Sequence, residues 1–128
     1  MKYLLDTNVI IDYCNAKLPV NAKELLQNIE PRISVITSIE LFSSEKITEK
    51  ELNKLNLFIS IATVYNIINP DIVTLTISIR QLYKIKLPDA LIAATAIYYN
   101  LILITRNIDD FKRIEKLQTL NPWTYLLK

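Results

Sequence analysis

The chain has 128 residues, 51% of them apolar and 22% charged, with a formal net charge of +2; this is the size and balance of one ordinary globular domain. It contains no glycine, which excludes both the glycine fingerprint of dinucleotide sites and the phosphate-cradling P-loop. With no histidine and a single cysteine, Cys14, it has no imidazole base, no internal disulfide and no material for a thiolate zinc centre.

Tyr3-Leu4-Leu5 is a short apolar run that stops at Asp6-Thr7-Asn8, residues suited to caps and turns. A strand followed by a helix over 9–15 is expected there. Ala22, Leu25, Leu26 and Ile29 recur at helical spacing, so 21–30 reads as an amphipathic helix stopped by Pro31. The β-branched stretch 33–36 reads as a second strand, with a helix starting at Thr37 or Ser38. Thr48-Glu49-Lys50-Glu51 is a capping box opening a further helix, and 63–68 a third strand closed by Asn69-Pro70-Asp71. Ile72, Leu75, Ile79 and Leu82 mark a helix that ends before Pro88; Pro88 suits the first position of the next, through Tyr99. That helix, almost wholly apolar from Ala90, fits either a buried core helix or a dimer interface. Asn100 can take the left-handed turn conformation that glycine usually supplies. Leu101 to Ile104 reads as a buried strand, and a last short helix carries Phe111, Ile114 and Leu117.

Strands alternating with helices predict an α/β fold, with residues 1–128 as one domain. The expected architecture is an α/β/α sandwich around a central, mainly parallel sheet of about four to five strands. The opening residues lack a secretory signal and no apolar run can span a bilayer, so a soluble, cytoplasmic protein without membrane contact is expected.

In parallel sheets, sites form beyond the carboxyl ends of the strands. Asp6 ends the first strand, Glu40 falls in the first turn after the second, and Asp109 and Asp110 follow the fourth. Asp89 opens the helix that feeds the fourth strand, so it starts at the same edge. Each acid alone reads as a helix cap or first-turn charge. Their convergence does not, because clustered carboxylates repel unless a cation sits among them. A hard divalent ion with oxygen ligands resolves that repulsion, and it serves phosphodiester cleavage without histidine.

Four segments carry a family resemblance: Leu4-Leu5-Asp6-Thr7-Asn8, Ser38-Ile39-Glu40-Leu41, Leu87-Pro88-Asp89-Ala90-Leu91-Ile92-Ala93-Ala94 and Ile104-Thr105-Arg106-Asn107. In this order they resemble the motifs of PIN-domain ribonucleases, and Leu120-Asn121-Pro122-Trp123 is similar to the ends of the VapC-type toxins of toxin–antitoxin pairs. The resemblance implies a Mg²⁺- or Mn²⁺-dependent endoribonuclease, commonly a homodimer, inhibited by a cognate antitoxin. It implies Asp6, Glu40 and Asp89 as metal-holding, catalytic acids, with Thr7 and Asn8 orienting Asp6 and Thr105 supporting the site. The fourth acid falls in some members where Asn107 stands and in others where Asp110 stands. The spacing before Phe111 favours Asp110, with Asp109 next. Arg106, Lys84, Lys86, Lys112 and Arg113 are the candidates for holding RNA phosphates, against a plain solvated basic face. A PIN fold retained as a binding or scaffold module without turnover is the alternative.

Overall fold

The computed structural model describes residues 1–126. β1 (Tyr3–Leu5) leads into α1 (Thr7–Cys14), which Asp6 caps by accepting the Thr7 amide at 2.8 Å. Next come α2 (Val20–Asn28), with Ala22, Leu25 and Leu26 inward, and β2 (Arg32–Ser34). α3 (Val35–Phe42) starts two residues before the expected Thr37, because the Ser34 hydroxyl accepts the Ile36 amide at 3.1 Å. The β-branched pair Val35-Ile36 therefore continues as helix and not as strand. Glu40 lies in the second turn of α3 and not the first.

α4 (Glu49–Ile61) has the expected capping box: the Thr48 hydroxyl accepts the Glu51 amide at 3.1 Å and donates to its carboxylate at 3.0 Å. β3 (Thr63–Tyr65) is shorter than the expected 63–68. α5 (Pro70–Leu82) is capped by the Asn69 side chain, and α6 (Leu87–Tyr98) has proline in its first turn. Asn100 adopts a positive φ of 55° before β4 (Ile102–Ile104). The last helix is only the single turn α7 (Ile108–Phe111). Ile114 and Leu117 are carried by turns after it and not by a longer helix, and β5 (Thr119–Leu120) follows, a strand the sequence did not announce.

Every ladder pair is parallel: β1 with β4, β4 with β5 and β2 with β3. Hydrogen bonding divides the strands into a three-stranded sheet, β1-β4-β5, and a two-stranded one, β2-β3; β1 packs alongside β2. Side chains alternate along β1 and β4 and so feed two cores. Leu4 and Leu103 join Ile72, Ile79, Ile92 and Phe111 on one face; Leu5 and Ile104 join Val9, Ile10, Leu26, Ile33 and Phe58 on the other. These are the two helical layers of the predicted sandwich. α6 is a core helix, burying Ala90, Ile92, Ala93, Ala94, Thr95 and Ala96. Among the described residues, no helix is long and apolar enough to cross a membrane.

Candidate active site

β1 and β4 run parallel and end together, which brings Asp6 beside Thr105. The Asp6 amide bonds the Ile104 carbonyl at 2.9 Å, extending the ladder by one rung. The Asp6 side chain, only 5% exposed, needs donors to be stable there. It has three: the Thr7 amide at 2.8 Å, the Asn8 side-chain amide at 3.2 Å and the Thr105 hydroxyl at 2.8 Å. Burial raises its pKa above the ordinary carboxylate value; bonds from Thr105, Thr7 and Asn8 restrain the rise, while the Glu40 charge adds to it.

Glu40 is exposed on α3 and is held by the Thr7 hydroxyl at 2.7 Å. Thr7 thus serves two acids, Asp6 through its backbone and Glu40 through its side chain. Buried Thr37 stands behind this contact, 3.4 Å from the Thr7 hydroxyl. Asp110 is exposed on α7 and takes the Asn107 side-chain amide at 2.6 Å. The Asn107 amide in turn donates to the Thr105 hydroxyl at 3.0 Å, so one turn ties two of the acids together.

Asp89 stands in the first turn of α6. Its pKa is pushed up to about 6, first by burial, then by the charges of Asp6, Glu40 and Asp110; Lys86 pulls it back. The four acids therefore share one electrostatic neighbourhood, at the strand edge where the topology requires it. Asp109 is turned elsewhere: it is exposed and pairs with Lys112 at 3.1 Å.

Four oxygen-donor carboxylates without imidazole or thiolate fit a hard divalent cation, and their mutual repulsion is what such an ion relieves. The carboxylates are spread apart: among the described residues no three acidic side chains are gathered closely enough to enclose an ion. The Thr7 bond ties Glu40 across to α1, next to Asp6, whereas the Asn107 bond holds Asp110 to the turn that opens its own helix.

The basic candidates separate into distinct environments. Lys86, immediately before α6, is the one whose charge reaches Asp89. Arg106 is paired with Asp12 at 2.9 Å, Lys112 with Asp109, and Arg113 donates to the Lys84 carbonyl at 3.3 Å. Lys84, Lys112 and Arg113 have no bond to any of the four rim acids. Asp12 was not singled out from the sequence. It is buried in α1 and accepts both the Arg106 guanidinium and the Trp123 indole N–H, the latter at 3.2 Å. Its sequence signal is slight: an acid one turn after Asn8 in a short, mostly apolar helix.

The family model described as PIN domain matches residues 3–117. Among solved structures, a chain of a toxin–antitoxin complex from Klebsiella pneumoniae is 35% identical, with 98% of this chain and 100% of that one covered and a TM-score of 0.77. A chain of VapBC2 from Rickettsia felis, solved bound to a promoter DNA fragment, is 31% identical over 94% of this chain and 98% of that one, TM-score 0.78. A chain of VapBC-1 from nontypeable Haemophilus influenzae is 30% identical over 98% and 100%, TM-score 0.80. The comparison with curated proteins gives no match. By the length of the family match and by the fold it shares with these structures, the chain belongs to the PIN-domain family of nucleases.

Proposed function

We propose that this chain is a VapC-type toxin, an endoribonuclease that uses Mg²⁺ or Mn²⁺ to hydrolyse RNA phosphodiester bonds and is silenced by a cognate antitoxin. One observation carries the reading: four acids from distant parts of the chain come together at one edge of the sheet, where burial first, and then the charges of Asp6, Glu40 and Asp110, push the Asp89 pKa up to about 6. Asp6, Glu40, Asp89 and Asp110 are the residues to hold the ion and act as the catalytic acids. Once bound, the ion supplies charge neutralisation at the scissile phosphate and a water acidic enough to attack at neutral pH. Asn8 and Thr105 keep the Asp6 carboxylate oriented, the Thr7 hydroxyl fixes Glu40, and Asn107 fixes Asp110. Lys86, whose charge acts on Asp89, is the basic residue we assign to an RNA phosphate next to the acids. Lys84, Lys112 and Arg113 belong to the flanking basic surface.

Its two protein partners have candidate surfaces. An apolar cleft of about 370 Å³, lined by Tyr13, Leu57, Phe58 and Ile61 and flanked by Lys23 and Lys54, suits an amphipathic, acidic antitoxin segment. Val73 and Ile77, exposed one turn apart on α5, offer a second copy an apolar stripe for a homodimer. An RNA substrate and an antitoxin partner imply a cytoplasmic protein on this reading.

The test is RNA cleavage by the purified chain with Mg²⁺ or Mn²⁺, repeated on Asp6→Asn and Asp89→Asn. Activity lost in both, with melting transitions kept, is the expected result; undiminished cleavage by the double variant ends the proposal. The spread of the carboxylates favours a second reading, a scaffold module without turnover. Calorimetry separates the two, since the scaffold gives no heat with Mn²⁺.

A further inference from the structure

Asn8 and Asp12 lie four residues apart on α1, hence one above the other on the same helical face. Arg106 engages both. Its backbone amide donates to the Asn8 side-chain oxygen at 3.2 Å, and its guanidinium to Asp12 at 2.9 Å. One residue earlier, Thr105 bonds Asp6; one residue later, the Asn107 amide bonds Thr105. The turn after β4 is thus fastened to α1 at Asp6, Asn8 and Asp12 in succession. The Asp12 carboxylate is 7% exposed, while the Arg106 side chain is 52% exposed. The same Asp12 oxygen also takes the indole N–H of Trp123, from the segment after β5. A buried carboxylate with two donors converging on one oxygen fixes a geometry that an exposed ion pair does not.

We infer that Asp12 and Trp123 are positioning residues: by holding Arg106 against α1 they keep the 105–107 turn gripping Asp6 and Asp110. Arg106 thereby works as a clamp and not as a ligand for RNA phosphate. This rests on the nuclease reading above for its effect on rate, but not for its effect on the turn.

The test uses the full chain carrying Asp12→Asn or Trp123→Phe, each checked for a cooperative melt; if Asp12→Asn does not fold, Trp123→Phe carries the test. In the metal-free protein, hydrogen exchange at the Arg106 and Asn107 amides is expected to accelerate about 10-fold in Asp12→Asn and about 3-fold in Trp123→Phe, because a loosened turn opens locally more often. With Mg²⁺ and RNA, kcat falls by similar factors while KM stays within about 2-fold, because the loss lies in the arrangement of the acids and not in RNA binding. Unchanged exchange and unchanged kcat overturn the inference. So does a raised KM at constant kcat in Arg106→Ala, which marks a phosphate ligand. If the wild-type chain cleaves no RNA, the nuclease reading fails on its own, and the exchange rates still decide the clamp.

Discussion

Asp6 takes hydrogen bonds from the Thr7 amide, the Asn8 side chain and the Thr105 hydroxyl, whereas Asp89, across the same rim, takes none from any described residue. Asp6 is the more deeply buried, and its own donors offset part of what burial costs its charge. Asp89 is left to desolvation and to the repulsion of three other carboxylates. One half of the rim is wired by the fold in advance, and the other stays poised for a counter-charge from outside. Burial sets the cost of a carboxylate, but local donors decide whether the fold or a ligand meets it.

The hardest way to break this contrast is to neutralise either acid. In Asp6→Asn and in Asp89→Asn, cleavage should fall at least about 100-fold, since each removes a proposed ligand and not merely a supporting contact. The two should differ in stability: Asp89→Asn removes a repelled charge and raises the melting temperature by about 2–3 °C, while Asp6→Asn disturbs three hydrogen bonds and lowers it. Equal shifts in calorimetric melts would erase the distinction. Thr105→Val is a milder probe of the wired half. It deprives buried Asp6 of one donor and Asn107 of its acceptor, with an expected destabilisation of about 1–3 kcal/mol and about 10-fold slower cleavage.

Acidity sharpens the contrast from the Asp89 side. Its ordinary value is 3.8 and its value in the fold about 6, so between these the folded chain binds more protons than the unfolded one. Stability contributed by this group therefore falls as pH rises from about 4 through about 6, and stays low above that. Metal-free melts at the two ends of that window should show a larger loss in the wild type than in Asp89→Asn, and Mg²⁺ should reduce the wild-type loss. Identical pH dependence in both proteins contradicts the assignment. The smallest effect is expected at the other edge of the sheet: Asn100→Ala forces a Cβ-bearing residue without a polar side chain to keep φ near 55°, costing about 1 kcal/mol and leaving cleavage untouched.

Much of the fold was legible because local chemistry and tertiary outcome agree. The Thr48 capping box, the proline before Asp89 and the left-handed Asn100 each do what their residue type prefers. The failures share a cause. Val35-Ile36 has strand-like composition, but a single hydroxyl at Ser34 starts the helix early. β5 is two residues long and exists only because β4 offers it an edge. The rim acids were readable from topology, since strand ends and helix starts fall at one side of a parallel sheet. Asp12 was not, for its partners lie 94 and 111 residues away and nothing near it in the chain announces them.

β5 also guards the protein against its own kind. The Leu103 and Thr105 amides of β4 and its exit donate to the Gln118 and Leu120 carbonyls at 2.9 and 3.0 Å. Were the chain cut ahead of Gln118, those donors would face solvent along a fully apolar strand. Such a bare border is a template on which another molecule's backbone can lay itself down, so the closing residues serve solubility as much as shape.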